Sequence, residues 1–252
     1  MRIRTVARLW LLAALMLAPL PAAAQQIVAD LSKRLVAITT GFTGSDVLLF
    51  GAIEGEGDIV VIVRGPDRPA TVREKNRVSG IWVNTVTVTY RTVPTFYALA
   101  ANRPLAEFVP TALAQRHQIG PDFIRVSPNV TLTPERTEAF RRSLVRLKQE
   151  DGTFQRDVAR ITFLENFKGP RLFRATINFP SNVQTGNYSV QVLLVRAGNV
   201  VSAQSSALAV SKIGISADVY DFAQRDAWLY GLIAVLSAML IGAGASRMFR
   251  QP

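Results

Sequence analysis

The stretch Ala227–Ser246 (AWLYGLIAVLSAMLIGAGAS) contains no charged residue, and Arg247 and Arg250 follow it closely. As a helix that rises about 1.5 Å per residue, it is about 30 Å long and matches the hydrocarbon core of a bilayer. The stretch therefore predicts one transmembrane helix at 227–246 that anchors the chain. Because basic residues beside a span favour the cytoplasm, we expect a cytoplasmic tail at 247–252 and the residues before about Asp226 on the other side of the membrane.

Small residues recur at every fourth position of this span, at Ala234, Ala238, Gly242 and Ser246. On a helix they form one ridge that lets a second helix approach closely, and such close approach drives association in lipid. The ridge predicts packing against another membrane protein or a second copy of this chain. The alternative is that these residues have no specific role, because small residues are common in membrane spans.

Residues 1–24 have the pattern of a secretory signal peptide. An arginine-containing head precedes the apolar stretch Leu9–Leu20, and Ala22–Ala24 supply the small residues of a cleavage site. A signal peptide and a C-terminal anchor together predict a single-pass protein of the bacterial inner membrane, with its bulk in the periplasm.

The composition limits which partners and chemistries are available. The chain has 252 residues, no cysteine and a formal net charge of +11. The absence of cysteine excludes disulfides, thiolate nucleophiles and thiolate metal sites. The positive charge favours anionic partners such as lipid headgroups or acidic glycans. Nucleic acid is not expected as a partner in the predicted compartment.

Residues 25–212 predict a periplasmic domain that is mainly β, an immunoglobulin-like β-sandwich with a helical insertion. The predicted strands are runs rich in β-branched and aromatic residues: Leu35–Thr40, Asp46–Ile53, Ile59–Arg64, Ile81–Arg91, Ile161–Leu164, Leu172–Phe179, Tyr188–Val195 and Val200–Val210. The segment around Tyr188 to Val210 resembles the closing hairpin of such a sandwich, with Tyr188 as a packed aromatic. Glu54–Asp58 predicts a hairpin turn. Alternation along the fourth strand predicts a core face formed by Trp82, Asn84, Val86, Val88 and Tyr90.

The predicted helical part covers about 95–149. Phe96–Ala101 and Leu105–His117 predict short helices, and Pro134–Gln149 predicts a longer one with Thr133 as its cap. Residues 213–226 predict a juxtamembrane helical stalk. Because no proline separates the stalk from the anchor, we expect one helix from about Ser216 to Ser246.

No pattern in the chain specifies a chemistry. His117 is the only histidine, and since it lacks an accompanying nucleophile motif, we expect it at a polar helix end. Glu54, Glu56 and Asp58 fit an acidic turn better than a calcium loop. Glu138 is spaced to pair with arginines four residues apart along its helix. We therefore expect no catalytic residue, metal or cofactor.

A basic run at Arg64, Arg68, Arg73, Lys75 and Arg77 is the candidate surface for an anionic partner. Such a cluster attracts lipid headgroups, acidic glycans or an acidic protein surface. The alternative is a solvated turn and edge strand whose charges prevent pairing with other chains.

Short motifs spread along the chain resemble those of one family. They are R-G-P at Arg64–Pro66, G-I-W-V-N at Gly80–Asn84, F-Y-A at Phe96–Ala98, R-P-L at Arg103–Leu105, T-G-N-Y at Thr185–Tyr188 and L-Y-G-L at Leu229–Leu232. They are similar to motifs of a family of alphaproteobacterial transmembrane proteins with no established function. The resemblance covers nearly the whole chain and implies a single-pass topology, with no catalytic residues to transfer. It also suggests a loose association with membrane anion exporters.

These observations support three hypotheses about function. The first is a membrane-anchored, non-catalytic interaction module that binds a membrane protein, in its most specific form an accessory subunit of a transporter. The second is a binder or sensor of an envelope ligand, an acidic glycan or a lipid, through the basic run. The least favoured is a periplasmic hydrolase.

Overall fold

The structure is a computed structural model that describes residues 27–164 and 169–248. The predicted signal peptide and residues 249–252 of the predicted tail lie outside the described residues. Strands make up about 46% of the structure and helices about 27%. This composition confirms a mainly β domain followed by an apolar helix.

Two sheets and one separate ribbon contain the described strands. In chain order the strands are β1 (Ile27–Leu31), β2 (Leu35–Ile38), β3 (Gly44–Ile53), β4 (Asp58–Arg64), β5 (Asp67–Val78), β6 (Ile81–Pro94), β7 (Tyr97–Ala101), β8 (Ala159–Arg160), β9 (Thr162–Phe163), β10 (Arg171–Pro180), β11 (Gly186–Arg196) and β12 (Asn199–Lys212). Sheet A has the order β1-β3-β10-β9, sheet B has the order β2-β12-β11-β4-β7-β8, and β5 pairs with β6. Neighbouring strands are antiparallel except for the parallel pairs β2–β12 and β7–β8.

Sheets A and B pack face to face around one apolar core. At one end of this core, Phe96 stacks on Phe179 with ring centroids 4.9 Å apart, and Tyr188 lies 5.7 Å from Phe179. Tyr188 is 1% exposed, which confirms that it is a packed aromatic. Strands from both sides of the helical part contribute to each sheet, so the strands form one sandwich. The immunoglobulin-like arrangement stays a prediction.

Sheet B is buried on both of its faces around β4 and β7. Five consecutive residues of β4, from Ile59 to Val63, are buried, as is typical of a strand covered on two sides. The outer face carries a second core formed with helices α1 (Thr111–His117) and α2 (Pro134–Glu150) and with two short 3₁₀ turns at Leu105–Glu107 and Pro121–Phe123. The domain therefore has three layers, with sheet B in the middle.

The prediction of a short helix at Phe96–Ala101 was wrong, because Tyr97–Ala101 is strand β7. All five residues of β7 are buried, and the strand pairs with β4 over its whole length. Pairing and burial inside a sheet outweigh local helix preference, which is a weak determinant. The helical part therefore begins at Leu105, and α2 confirms the longer predicted helix, with Thr133 as its cap.

The prediction of a hairpin turn at Glu54–Asp58 was also wrong. This segment connects β3 of sheet A to β4 of sheet B. Both strands are already paired on each of their two edges. Neither strand has a free edge for the other, so the connection crosses between the sheets.

The ribbon of β5 and β6, which we call the arm, extends the pairing of β4 with β7 beyond the sheet. The backbone N–H of Gly65 donates to the Phe96 carbonyl, and that of Thr95 donates to the Pro66 carbonyl, each at 2.9 Å. Asp67 of β5 then pairs with Pro94 of β6. The arm is therefore a continuation of two central strands of sheet B.

Two helices follow the last strand, α3 (Ile215–Arg225) and α4 (Ala227–Met248). The expected single helix is interrupted at Asp226, whose backbone has φ −123° and ψ 50°. Its N–H donates to the Phe222 carbonyl, and its own carbonyl accepts from Leu229 and Tyr230, so it ends one helix and begins the next. Aspartate favours such end positions over helix interiors.

Among the described residues, one helix is long and apolar enough to cross a membrane. It covers Ala227–Arg247 with a mean hydropathy of 1.9, and none of this apolar segment is buried against the rest of the protein. An unburied helix of this composition is stable in a lipid environment, where its side chains replace contacts with water by contacts with hydrocarbon.

Candidate interaction surface

The arm ends in a two-residue turn formed by Ser79 and Gly80. Both residues have positive φ, 50° for Ser79 and 88° for Gly80, which is the geometry of a type I′ hairpin turn. The side-chain Nε of Arg77 donates to the Gly80 carbonyl at 3.1 Å across the turn. Val78 therefore faces Ile81 directly in the register of the ribbon.

Helix α2 braces the first half of the arm. Val72 and Val88, which pair across the ribbon, belong to the same buried cluster as Phe140 of α2. Beside them the Arg136 guanidinium donates to the Glu74 carboxylate at 2.6 Å. The arm is thus packed against the domain from its base to about Glu74.

Beyond Glu74 the arm projects from the domain and exposes apolar side chains. The tip, defined here as Val78–Val83, contains Val78 at 52%, Ile81 at 68%, Trp82 at 66% and Val83 at 39% exposure. The predicted core face of β6 is therefore correct for Val88 and Tyr90 but wrong for Trp82 and Asn84. A register shift after Glu74 pairs Asn84 with Lys75 and Trp82 with Arg77, so both lie on the other side of the ribbon from Val88.

Three residues of the predicted basic run lie on one side of the arm. Arg73, Lys75 and Arg77 alternate along β5 and are all exposed, so their side chains project to the same side. Trp82 pairs with Arg77, and directly paired residues of an antiparallel ribbon share a side. We call Arg73, Lys75 and Arg77 the basic side of the arm.

The other two residues of the basic run are separated from this group. Arg64 lies at the end of β4, where its guanidinium contacts the Asp67 carboxylate at 2.9 Å and the Gln118 side-chain oxygen at 2.8 Å. Arg68 is exposed at the base of the arm. Arg64 therefore links the sheet to the chain after α1, while the basic side is further along the arm.

The arm and the chain to α4 leave the sandwich at the same end, where β4 and β12 finish. Strand β11 is antiparallel to both β4 and β12, so β4 and β12 run in the same direction. Ser189 pairs with both Arg64 and Ala207, which places those two residues at the same level. From there β4 continues into the arm, and β12 continues to Lys212 and α3.

The predicted ridge lies entirely within α4. Ala234, Ala238, Gly242 and Ser246 are exposed, and their spacing places them along one side of the helix. A Cβ added at Gly242 would meet no described atom within 4 Å. The ridge is therefore accessible, and its role in helix packing stays a prediction.

Two of the acidic residues weighed in the sequence, Glu138 and Asp58, are held in ion pairs. Glu138 accepts two hydrogen bonds from Arg141, at 2.7 and 2.9 Å, and these bonds hold the pKa of Glu138 below its usual range. Asp58 accepts from Arg103 at 2.6 and 2.8 Å, and this pairing lowers the pKa of Asp58. Both groups are ionised at neutral pH, which suits them to orient arginines. His117 is the last residue of α1, at the predicted helix end.

The tip is the part of the surface that sequence reasoning missed. The signal was present, because Ser79-Gly80 separates two runs that are compatible with strands, and a two-residue turn containing glycine favours a hairpin. The run before it, Asp67–Val78, is dominated by polar residues, and its cations predict a binding surface or, alternatively, a solvated turn and edge strand. Its role as the partner of β6 became visible only in the paired ribbon.

The fold and its apolar helix define a class: a membrane protein with a β-rich domain followed by a C-terminal membrane-spanning helix. Within that class, the chain belongs to the family described as "Putative transmembrane protein (Alph_Pro_TM)", whose model matches residues 26–251. The family resemblance of the sequence motifs is thereby confirmed.

Other comparisons add little to this assignment. None of the curated proteins compared matches the chain. A solved structure described as "Structural basis of T cell specificity and activation by the bacterial superantigen toxic shock syndrome toxin-1" aligns over 75% of this chain and 100% of its own, with 8% identity and a TM-score of 0.25. A similarity of that size does not show a shared fold.

Proposed function

We propose that this protein is a membrane-anchored, non-catalytic interaction module whose contact element is the arm. One observation carries the proposal: the arm leaves the sandwich at the same end and in the same direction as the chain to α4. This shared direction supports a position of the exposed tip on the membrane side of the domain. The contacts available there are the membrane surface and the proteins embedded in it.

The proposed topology places the β domain in the periplasm and the tail beyond α4 in the cytoplasm of a bacterial inner membrane. Two sequence features support this orientation. The signal-peptide pattern of residues 1–24 directs the domain that follows it across the membrane, and Arg247 and Arg250 lie close behind the span, where basic residues favour the cytoplasm.

In its most specific form the proposal makes the chain an accessory subunit of a membrane transporter. The ridge of α4 would contact the spans of that partner, because small residues allow close helix packing in lipid. Crosslinking in intact cells, followed by purification in mild detergent and mass spectrometry, tests this form. A multi-spanning protein recovered at a fixed ratio supports it, whereas recovery of the chain alone or as a homodimer contradicts it.

The role of the arm is tested by a photo-crosslinking residue placed at Ile81 of the full chain in native membranes. We expect adducts with a membrane component from Ile81. Val201 is the matched control and should give no adduct. It is 42% exposed and lies near the β11–β12 turn, at the opposite end of the strands of sheet B. Equal yields from the two positions, or no adduct from Ile81, would contradict the proposal.

A second candidate function is the binding of an anionic envelope ligand such as an acidic glycan. The observation that favours it is the alignment of Arg73, Lys75 and Arg77 on one side of β5. Binding of this kind weakens with salt because the charges are exposed to solvent. Titration of the full chain with acidic glycans at low and high ionic strength tests it, and binding that does not depend on salt would contradict it.

A further inference from the structure

We propose that the tip of the arm docks on an anionic lipid surface of the same membrane that holds α4. The inference rests on the proposed function in one respect, since it takes the arm as the contact element. It adds the chemical identity of what the arm contacts. The domain would then be held to the membrane at two places, the helix α4 and the arm.

The first step is the reach of the arm. Strand β5 has 12 residues, which at about 3.3 Å per residue extend about 40 Å from the end of sheet B where β4 finishes. Helix α2, which runs beside the arm, indicates that the arm leads away from this end of the sheet. The chain just after the C-terminal end of α2 contacts the sheet, where the Tyr97 N–H donates to the Thr153 carbonyl. The N-terminal end of α2 contacts the arm, where Arg136 binds Glu74. The helix has 17 residues and is about 25 Å long.

The second step is the distance to the anchor. Ala207 is level with Arg64, and β12 continues beyond it to Lys212, about 17 Å at strand spacing. Helix α3 has 11 residues and adds about 16 Å along its axis. With the two residues that join β12 to α3, this path is about 40 Å long, and the arm measured from the level of Arg64 is about 46 Å long. The tip and the start of α4 are therefore able to meet the membrane surface together.

The third step is the chemistry of the tip. Val78 and Ile81 pair across the end of the ribbon and present apolar side chains that are more than half exposed. Trp82 is 66% exposed on the other side of the ribbon. Small apolar groups bury in the outer part of a bilayer, and tryptophan prefers the level of the headgroups. The tip therefore has the composition of an interfacial membrane contact.

The fourth step is charge. The basic side follows immediately behind Trp82, at the height where lipid phosphates would lie. The one carboxylate on this part of β5 is Glu74, which projects to the other side and is paired with Arg136. Each lysine or arginine near an anionic membrane strengthens the attraction about fivefold. The basic side thus favours anionic over neutral lipid.

The experiment uses the full chain, which has no native cysteine. Ile81→Cys carries a nitroxide label, and the protein is reconstituted in vesicles of phosphatidylcholine alone or mixed with phosphatidylglycerol. The accessibility of the label to oxygen, which partitions into lipid, is compared with its accessibility to a water-soluble nickel complex. Val201→Cys is the control position, and thermal unfolding verifies that each variant is folded.

In mixed vesicles we expect the label at Ile81 to be reached mainly by oxygen and the label at Val201 mainly by the nickel complex. Combining R73Q, K75Q and R77Q should weaken docking about a hundredfold, from about fivefold per charge. R174Q, on the exposed outer face of sheet A, removes one charge away from the arm and should have no effect, whereas each single substitution on the basic side should weaken docking about fivefold.

Two results would overturn the inference. One is an Ile81 label that stays as accessible to nickel in mixed vesicles as the Val201 label. The other is equal immersion in neutral and mixed vesicles, since anionic lipid would then play no part. If the tip is not immersed but Ile81 crosslinks to a protein in native membranes, the inference fails while the proposed function stands. If neither contact is found, both fail.

Discussion

Arg136 and Glu74 are joined by a hydrogen bond of 2.6 Å between the guanidinium Nη2 and the carboxylate Oε2. This ion pair connects the first turn of α2 to the middle of the arm, at the point where the arm leaves the domain. Among the described residues it is the last hydrogen bond between the arm and α2 before the exposed tip. The pair is therefore placed to limit the motion of the tip relative to the sandwich.

Removal of this ion pair should loosen the arm without unfolding the domain. For Glu74→Gln we expect the free energy of unfolding to change by less than about 1 kcal/mol, because both side chains are partly exposed to solvent. Amide hydrogen exchange in residues 70–88 should nevertheless become faster. Asp30→Asn is the matched control, since it breaks an exposed pair with Arg34 in another part of the domain. Equal exchange of the arm in both variants would contradict the brace.

Two buried tyrosines should respond oppositely to loss of the hydroxyl. The Tyr97 hydroxyl donates to the Gln118 carbonyl at 2.6 Å and accepts from the Gly120 N–H at 2.8 Å. Tyr97→Phe should cost about 1–3 kcal/mol, because it removes the hydroxyl partner of two partly buried backbone groups. The Tyr90 hydroxyl is buried without a partner among the described residues, so Tyr90→Phe should be neutral or stabilising. Chemical denaturation of both variants measures the difference, and equal losses would refute it.

Asp58 should make the stability of the domain depend on pH. Its hydrogen bonds from Arg103 lower the pKa of Asp58 in the folded protein, whereas the unfolded chain has the ordinary value of about 3.9. The unfolded state thus binds the proton more readily, and the stabilisation is present above about pH 4 and is lost as the pH falls through the folded-state pKa.

Asp58→Asn should therefore be less stable than the parent protein at neutral pH, and the difference should shrink below about pH 4. Denaturant unfolding at a series of pH values provides the measurement. Arg103→Gln removes the other half of the pair and should flatten the same pH window. A difference between Asp58→Asn and the parent that stays constant down to acidic pH would contradict this assignment.

Bulky residues on the ridge of α4 should disrupt association in the membrane. Leucine at both Ala238 and Gly242 prevents the close approach of a second helix. The fraction of chain that crosslinks to a partner or a second copy should fall. Leucine at Ser237 and Gly244 is the control, because about 100° of rotation per residue places these positions away from the ridge. Unchanged association in the Ala238/Gly242 variant would refute a role for the ridge.

Sequence reasoning succeeded where local pattern and physical constraint coincide. The length and apolarity of Ala227–Ser246 are sufficient to indicate a membrane span, because no other environment stabilises such an exposed helix. Helix α2 was predictable from Thr133, Pro134 and an apolar stripe. Tyr188 was expected to be buried, and its packing against Phe96 and Phe179 agrees with this.

The misses share one physical cause, which is that pairing partners are chosen by the whole fold. Tyr97–Ala101 has local helix preference but lies between two strands, and the hydrogen bonds of the sheet decide its conformation. The segment Glu54–Asp58 has turn chemistry, yet whether a turn makes a hairpin depends on which other strands occupy the edges of its neighbours. Neither fact is encoded within a short window of sequence.

The candidate surface divides in the same way. The sequence alone determined that the chain has a membrane span, a mainly β domain and a cluster of cations at Arg73, Lys75 and Arg77, since these follow from composition and spacing. Only the tertiary structure decided that Trp82 is exposed beside those cations and that the arm points along the path to α4. Exposure and direction depend on where packing against α2 ends and on the order of strands in sheet B, and both are set by contacts between residues far apart in the chain.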